Sequence, residues 1–293
     1  MVVLFAIYLV ELVEGSAPTI PEGWYFLYGS VFNINNLYGV YPEIWGSMVT
    51  SAIALAIGVP VSIGVAVFLS EVSPLRLRST LSFFVEMLAA VPSVVYGLWG
   101  LIVLAPALST KIYPVVGRYI GFIPIFSCPT TFAPCFYYGL SVMTAGLILA
   151  LMIIPIVAAI SRDALLAVPA SQREAAYALG ATKSEVIRMS VISYARQGII
   201  AAVFLGFARA FGETMAVTFV IGNEGIVSTT LFKPGYTLAS LIATEFSTAS
   251  SGTEVSALVE AGLVLLLVSF TASFVGRLLI RRFIKTKESA SLL

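Results

Sequence analysis

Long apolar runs dominate this sequence. Five of them have about the 20 helical residues that cross a hydrocarbon core of about 30 Å, and they extend over Gly46–Leu69, Leu81–Ala105, Tyr138–Ile160, Gly198–Gly222 and Ser256–Ile280. Of the 293 residues 59% are hydrophobic and 11% are charged, whereas about 25% are charged in a soluble domain. The sequence therefore predicts an all-α integral membrane protein.

A sixth apolar run, Met1–Val13, has 13 residues and is too short to span a bilayer. It lacks the basic flank of a signal peptide, and we expect that an upstream piece is missing. The predicted bundle has about six transmembrane helices with a short or truncated first one, or five without it.

The positions of Lys and Arg predict the orientation, because cytoplasmic loops hold the excess of these residues. Twelve of the 16 fall in three segments that we assign to the inner side: Arg76, Arg78, Arg162, Arg173, Lys183, Arg188, Arg196, Arg277, Arg281, Arg282, Lys285 and Lys287. The outer loops hold three, Lys111, Arg118 and Lys233, and Arg209 lies within a span. The C-terminus is therefore expected in the cytoplasm.

Composition excludes several classes of function. A net charge of +1 provides no basic surface for nucleic acid. The chain has no histidine, which removes the commonest metal ligand and proton relay, and it shows no clustered carboxylates. No enzyme active site, metal site or cofactor is predicted.

The two cysteines lie in a predicted outer loop, in FSCPTTFAPCF. We expect a disulfide between Cys128 and Cys135, since that compartment lets disulfides persist and Pro129 and Pro134 suit a tight loop. Two free thiols remain the alternative.

Arg209 and Glu213 occupy the middle of the fourth long run. In one helix over Arg196–Asn223, Arg209 lies about 20 Å from either end, and a central arginine costs about 2.5 to 3.5 kcal/mol on the mildest insertion scale. Glu213 is four residues further on and shares its face. The two form either an ion pair that pins helix packing or a switchable anion contact along a hydrated passage.

Two other carboxylates occur within apolar runs, near their ends. Glu86 follows Arg76 and Arg78 closely, and Glu260 lies about one turn from the outer surface. An interfacial position is the simpler interpretation of both, and Glu86 is retained as a third candidate for the transport pathway.

The inner loop 161–197 is the most polar part of the chain, yet its apolar residues keep helical spacing. Ala175, Ala178 and Leu179 share one face, and Val186, Ile187 and Val191 follow after Gly180. The pattern predicts two short amphipathic helices joined by a glycine turn. Such a hairpin is either a membrane-surface element or a docking site.

Three stretches of the chain resemble the permeases of ATP-binding-cassette importers. EAAYALG, residues 174–180, is similar to their EAA loop, and VPSVVYGLWGL (91–101) and RAFGETMAVTFVIGN (209–223) resemble the phosphate-specific transport permeases, the second stretch being closer to their C type than to their A type. The resemblance covers about residues 40–285. It departs from the family at Ile192, Ser193 and Gln197, where a Leu-Pro pair and a further proline are usual.

The resemblance implies a type I importer permease fold, also called MetI-like. It places ATPase coupling at Glu174, Ala175, Ala176 and Gly180, and the family's Arg and Glu fall on Arg209 and Glu213. It implies transport of inorganic phosphate, which a guanidinium fork binds well. Another oxyanion such as sulfate or molybdate, or a secondary anion transporter, remains an alternative.

The chain shows no P-loop, since GATKS at 180–184 lacks the required glycines. The resemblance therefore implies two separate ATPase subunits, a second permease of the A type or a second copy, and an extracytoplasmic phosphate-binding protein. We expect an N-terminal helix and outer loop over 1–45, a permease domain over 46–285 with outer loop 106–137 and coupling loop 161–197, and a cytoplasmic tail over 286–293. The location is the plasma membrane.

Overall fold

The computed structural model describes residues 2–19, 23–30, 32–34, 37–130 and 135–290. Within these ranges it is mostly helical. Five helical segments are long and apolar enough to cross a membrane: Tyr41–Val72, Ser93–Ile120, Val142–Leu166, Lys183–Phe211 and Gly252–Thr271. The predicted all-α, multi-pass membrane fold is confirmed.

The N-terminal part combines short elements with the first long span. Helices α1 (Val2–Ser16) and α2 (Trp24–Tyr28) precede an antiparallel pair of strands, β1 (Phe32–Ile34) and β2 (Leu37–Tyr38). Helix α3 (Tyr41–Val67) follows and ends in a π-helical turn, Phe68–Val72. Because α1 has 15 residues, it is shorter than the roughly 20 needed to span; Met1 lies outside the described residues.

The predicted single helix over Leu81–Ala105 is wrong. Helix α4 (Leu75–Ala89) ends before Pro92, and a new segment begins at Ser93. A proline pushes the preceding residue out of helical geometry and lacks an N–H to donate. The crossing segment runs on to Ile120 through α5 (Ser93–Trp99), a π-turn (Gly100–Leu104), α6 (Ala105–Ala107), a second π-turn (Leu108–Ile112) and α7 (Tyr113–Ile120).

The remaining elements carry the candidate site residues. A 3₁₀ turn (Pro124–Phe126) precedes α8 (Val142–Leu166), α9 (Ala170–Ala178), α10 (Lys183–Glu185), a π-turn (Val186–Val191) and α11 (Ile192–Phe211). They are followed by α12 (Met215–Val220), α13 (Leu238–Glu245) and α14 (Gly252–Ala290). The prediction of one helix through Arg209 and Glu213 is wrong, because residues 212–214 are not helical.

The chain divides into two compact units. The first unit comprises Met1–Ile53, Pro92–Leu149 and Phe211–Phe270, and the second comprises Ala54–Val91, Ala150–Ala210 and Thr271–Leu293. The first has apolar clusters around Phe26, Tyr38 and Leu241 and around Tyr113 and Phe232. The second is centred on Leu165, Val168, Val186, Val191 and Ala195.

Candidate functional site

The predicted glycine turn lies between α9 and α10, and we call residues 170–185 the coupling hairpin. Gly180 has φ +83°, a left-handed conformation that residues with a Cβ rarely adopt. Its N–H donates to Tyr177 O at 2.9 Å, and the Ala181 N–H donates to Ala176 O at 3.2 Å. This pair of hydrogen bonds is a Schellman motif, so the glycine ends α9 and reverses the chain.

The start of α10 is capped by its own side chains. The Thr182 N–H and hydroxyl both donate to Glu185 Oε2, each at 2.7 Å. These contacts satisfy polar groups that a helix start otherwise leaves unpaired. The return arm of the coupling hairpin therefore has a defined beginning.

Arg173 connects the coupling hairpin to two other elements of the second unit. Its Nη2 donates to Glu71 Oε1 at 2.7 Å, in the π-turn that ends α3, and to Leu165 O at 3.0 Å. Nη1 donates to Val168 O, just beyond α8. Glu71 and Arg173 are 102 residues apart, and sequence patterns gave no signal of this contact.

One face of the coupling hairpin is exposed. Glu174, Ala175 and Gly180 are exposed, whereas Ala176 packs against the apolar cluster of the second unit. Leu179 is 89% exposed and Tyr177 49% exposed; sequence reasoning placed Leu179 on an apolar face but did not single out Tyr177. The hairpin thus exposes two large apolar side chains beside small residues, and we call Glu174, Ala175, Tyr177, Leu179 and Gly180 the hairpin tip.

Glu86 lies on α4, where Arg162 binds it. The Arg162 Nη2 donates to Glu86 Oε1 at 3.0 Å and to Asp163 Oδ1 at 2.8 Å. The side chain of Glu86 is 55% exposed. Glu260, the other carboxylate weighed from the sequence, is half-buried in α14.

Arg209 and Glu213 lie on either side of a helix end. Arg209 is exposed in the last turn of α11 and has no salt-bridge partner in the part of the chain that the structure describes. Glu213 is 9% exposed and accepts a hydrogen bond from the Ala216 N–H at 3.3 Å. Since α11 stops at Phe211, the same-face spacing expected from one continuous helix does not apply.

Two of the stretches that carry the family resemblance meet at the α5–α12 contact. A Cβ on Gly97 would lie 2.9 Å from Ala216 Cα and 2.8 Å from Phe219 Cδ2. A Cβ on Gly100 would lie 2.8 Å from Val220 Cγ1. The two glycines thus allow α5 and α12 to pack at a distance that no larger residue permits.

Cys128 and Cys135 form a disulfide with a Cα–Cα distance of 6.0 Å. Pro134, which the sequence prediction used, lies outside the described residues. Within the described ranges no cluster of three or more His, Cys, Asp or Glu residues could hold a metal ion.

Comparison with known proteins gives closely related sequences over nearly the whole chain. The phosphate transport system permease protein PstC of Pasteurella multocida is 43% identical over 287 residues, covering 97% of this chain and 88% of that protein. The protein of the same name from Haemophilus influenzae is 41% identical, with coverage of 97% and 90%. A probable PstC of Methanocaldococcus jannaschii is 37% identical over 84% of this chain and 76% of its own length.

Solved structures show the fold. A chain of the MetNI methionine ABC transporter in an inward facing conformation has a TM-score of 0.55 and 18% identity, covering 83% of this chain and 94% of that chain. Residues 58–285 match the family described as binding-protein-dependent transport system inner membrane component. The chain therefore belongs to this family of transport permeases.

Proposed function

We propose that this protein is the membrane-spanning permease subunit of an ATP-driven importer. It translocates inorganic phosphate, delivered by an extracytoplasmic binding protein, by alternating access coupled to a separate ATPase. The relatives named as phosphate transport permeases align over 97% of the chain, which supports the substrate. The protein is a transport component and not an enzyme.

The exposed guanidinium of Arg209 carries the proposal. An arginine within a span is tolerated where it faces a bundle interior or a wet cavity, and non-helical backbone such as residues 212–214 is tolerated where it lines one. A guanidinium fork binds phosphate oxygens in two parallel hydrogen bonds. Arg209 is therefore the contact that a passing anion meets.

The other two pathway candidates have supporting positions. Glu213 lies two residues beyond the end of α11, where its buried carboxylate competes with the anion for Arg209 between transport events. Glu86 borders the inner end of the route, where it shares Arg162 with Asp163.

The hairpin tip is the site that docks on the ATPase. Small residues at Ala175 and Gly180 permit close approach, and Leu179, 89% exposed, supplies an apolar anchor. Two ATPase subunits, a second permease of the A type or a second copy, and the binding protein complete the importer. The excess of Lys and Arg near the end of the chain supports a cytoplasmic C-terminus.

Phosphate uptake by the reconstituted importer tests the function. Arg209→Ala should abolish uptake while the ATPase still co-purifies with the permease. Arg118→Ala removes another exposed arginine and should leave uptake unchanged. Normal uptake by Arg209→Ala contradicts the assignment, and a wild-type importer that moves another oxyanion but no phosphate refutes the substrate.

A further inference from the structure

Two connections of the first unit line an open cavity that the account above does not use. We call it the outer cavity, because both connections, α7 to α8 and α12 to α13, are expected on the outer side. It has a volume of about 370 Å³ and is lined by Pro129, Thr130, Tyr138, Glu224, Lys233 and Pro234, among others. At roughly 30 Å³ per water, it has room for a small oxyanion together with several waters.

Hydrogen bonds and close packing join the two segments that carry Glu224 and Lys233. The Glu224 N–H donates to Gly235 O at 3.0 Å, and the Gly235 N–H donates to Ile221 O at 3.1 Å. Gly222 has φ +97°, and a Cβ there would lie 2.7 Å from Pro234 Cβ. The two segments are thus packed and hydrogen-bonded to each other, which places one carboxylate and one ammonium group on the same cavity.

Further contacts hold this wall in place. The Val142 N–H donates to Lys233 O at 3.1 Å and joins it to the start of α8. The segment ends at Tyr236, whose hydroxyl donates to Glu245 Oε1 at 3.2 Å. Burial raises the pKa of Tyr236 to about 12. The phenol therefore stays protonated and adds no negative charge to the segment.

The opposite wall is held by the disulfide loop. The Phe136 N–H donates to Thr130 Oγ1 at 3.2 Å, and the ring of Tyr138 packs edge-on against Phe136 at 5.4 Å. The Thr230 hydroxyl donates to Ser127 O at 2.8 Å and joins this loop to the opposite wall. These contacts hold Thr130 and Tyr138 in place, and both residues bring hydroxyl groups to the lining of the cavity.

The outer cavity offers an anion one cationic contact and one competing carboxylate. Lys233 is half-buried, and its ammonium makes no salt bridge among the described residues. Glu224 is exposed and lines the same cavity, so the net charge is near zero. A transport pathway needs binding that is favourable enough for entry and weak enough for release, which this balance provides.

We propose that the outer cavity is a transient reception site for a small oxyanion, with Lys233 as its cationic contact. The proposal rests on the proposed function, for which the oxyanion is phosphate. The site receives the anion at the outer mouth before it reaches Arg209. Loss of Lys233 should therefore weaken entry at low phosphate and leave the later steps unchanged.

Lys233→Cys in the reconstituted importer tests this site. Both native cysteines are in the disulfide, so Cys at 233 provides the one free thiol of the chain. We expect KM for phosphate uptake to rise about tenfold, the lower range for losing a charged contact, with the maximal rate unchanged. Reaction with 2-aminoethyl methanethiosulfonate, which restores a positive charge, should restore KM, whereas the negatively charged sulfonatoethyl reagent should not.

A second readout does not depend on transport. Without ATP, inorganic phosphate added outside should slow modification of Lys233→Cys in a saturable manner. Lys111→Cys removes the other outer lysine, which does not line the cavity, and should show neither effect. An unchanged KM, or no protection by phosphate, overturns the site while wild-type uptake continues; absence of wild-type phosphate uptake would instead overturn the proposed function.

Discussion

The coupling hairpin and the α5–α12 contact are ordered by different forces. In the hairpin, an ion pair, a helix cap and carbonyl contacts hold an exposed tip. At the α5–α12 contact, Gly97 and Gly100 let two apolar helices approach until any Cβ would clash. Polar links can break and form again, whereas a close-packed contact has one arrangement. The hairpin is thus suited to a moving part, and the α5–α12 contact to a fixed frame.

The largest effect is expected at the hairpin turn. Gly180→Val should lower phosphate transported per ATP by an order of magnitude or more, because valine is strained at φ +83°. Gly180→Asn should retain most of the coupling, since asparagine tolerates the left-handed region. Both variants should fold, as nothing lies within 4 Å of a Cβ at this position. Equal coupling in the two variants would contradict this view of the turn.

A substitution at the α5–α12 contact should lower the stability of the protein and leave the coupling of transport to ATP hydrolysis unchanged. Gly97→Leu forces a side chain against the backbone of Ala216 and should lower the free energy of unfolding by about 3 kcal/mol, the upper range for overpacking. Thermal unfolding in detergent measures the loss. Gly64→Ala is the control, because a Cβ there meets nothing within 4 Å. If Gly97→Leu is as stable as the wild type, the close approach of α5 and α12 is wrong.

Loss of the ion pair between Arg173 and Glu71 should have a smaller effect on coupling. Arg173→Gln leaves Glu71 without its partner, 13% exposed, and should weaken the attachment of α9 by about 2 kcal/mol. We expect several-fold less phosphate transported per ATP hydrolysed. Glu71→Gln should cause a smaller loss, because it leaves the contacts of Arg173 with Leu165 O and Val168 O in place. Glu11→Gln, at an exposed carboxylate outside the hairpin, serves as the control for simple charge loss. Unchanged coupling in Arg173→Gln would contradict a role for these contacts.

The helix cap should give the smallest effect. Thr182→Ala removes the hydroxyl donor to Glu185 and should cost about 1 kcal/mol. Hydrogen exchange of the α10 amides should become faster, while phosphate uptake stays close to wild type. Unchanged exchange would show that the cap does not stabilise the hairpin.

Hydropathy and local motifs predicted the class of fold and the hairpin. Each of the five long apolar runs overlaps one of the five crossing segments, since a bilayer demands long apolar stretches, but the second and fourth runs are displaced by more than ten residues at both ends. Gly180 marked the turn because its backbone role is local. These features depend on neighbours in sequence, which a single chain displays directly.

The breaks and long-range contacts were not predictable in the same way. Val91 and Pro92 are apolar enough to extend a hydrophobic run, yet the helix ends there. Gly212 likewise lies in a stretch that reads as one helix, although α11 stops at Phe211. Arg173 and Glu71 meet only through folding, so no spacing rule reports them.

Water access to position 209 tests the central claim most directly. Arg209→Cys introduces the one free thiol of this chain, because Cys128 and Cys135 are joined. In an importer whose other subunits lack reactive cysteines, it can be probed with a small impermeant thiol reagent from each side. The account predicts modification from one side without nucleotide, and a change of the accessible side when ATP is bound. Complete protection from both sides in every nucleotide state would show that position 209 lies in dry packing, and would contradict a route for the anion past Arg209.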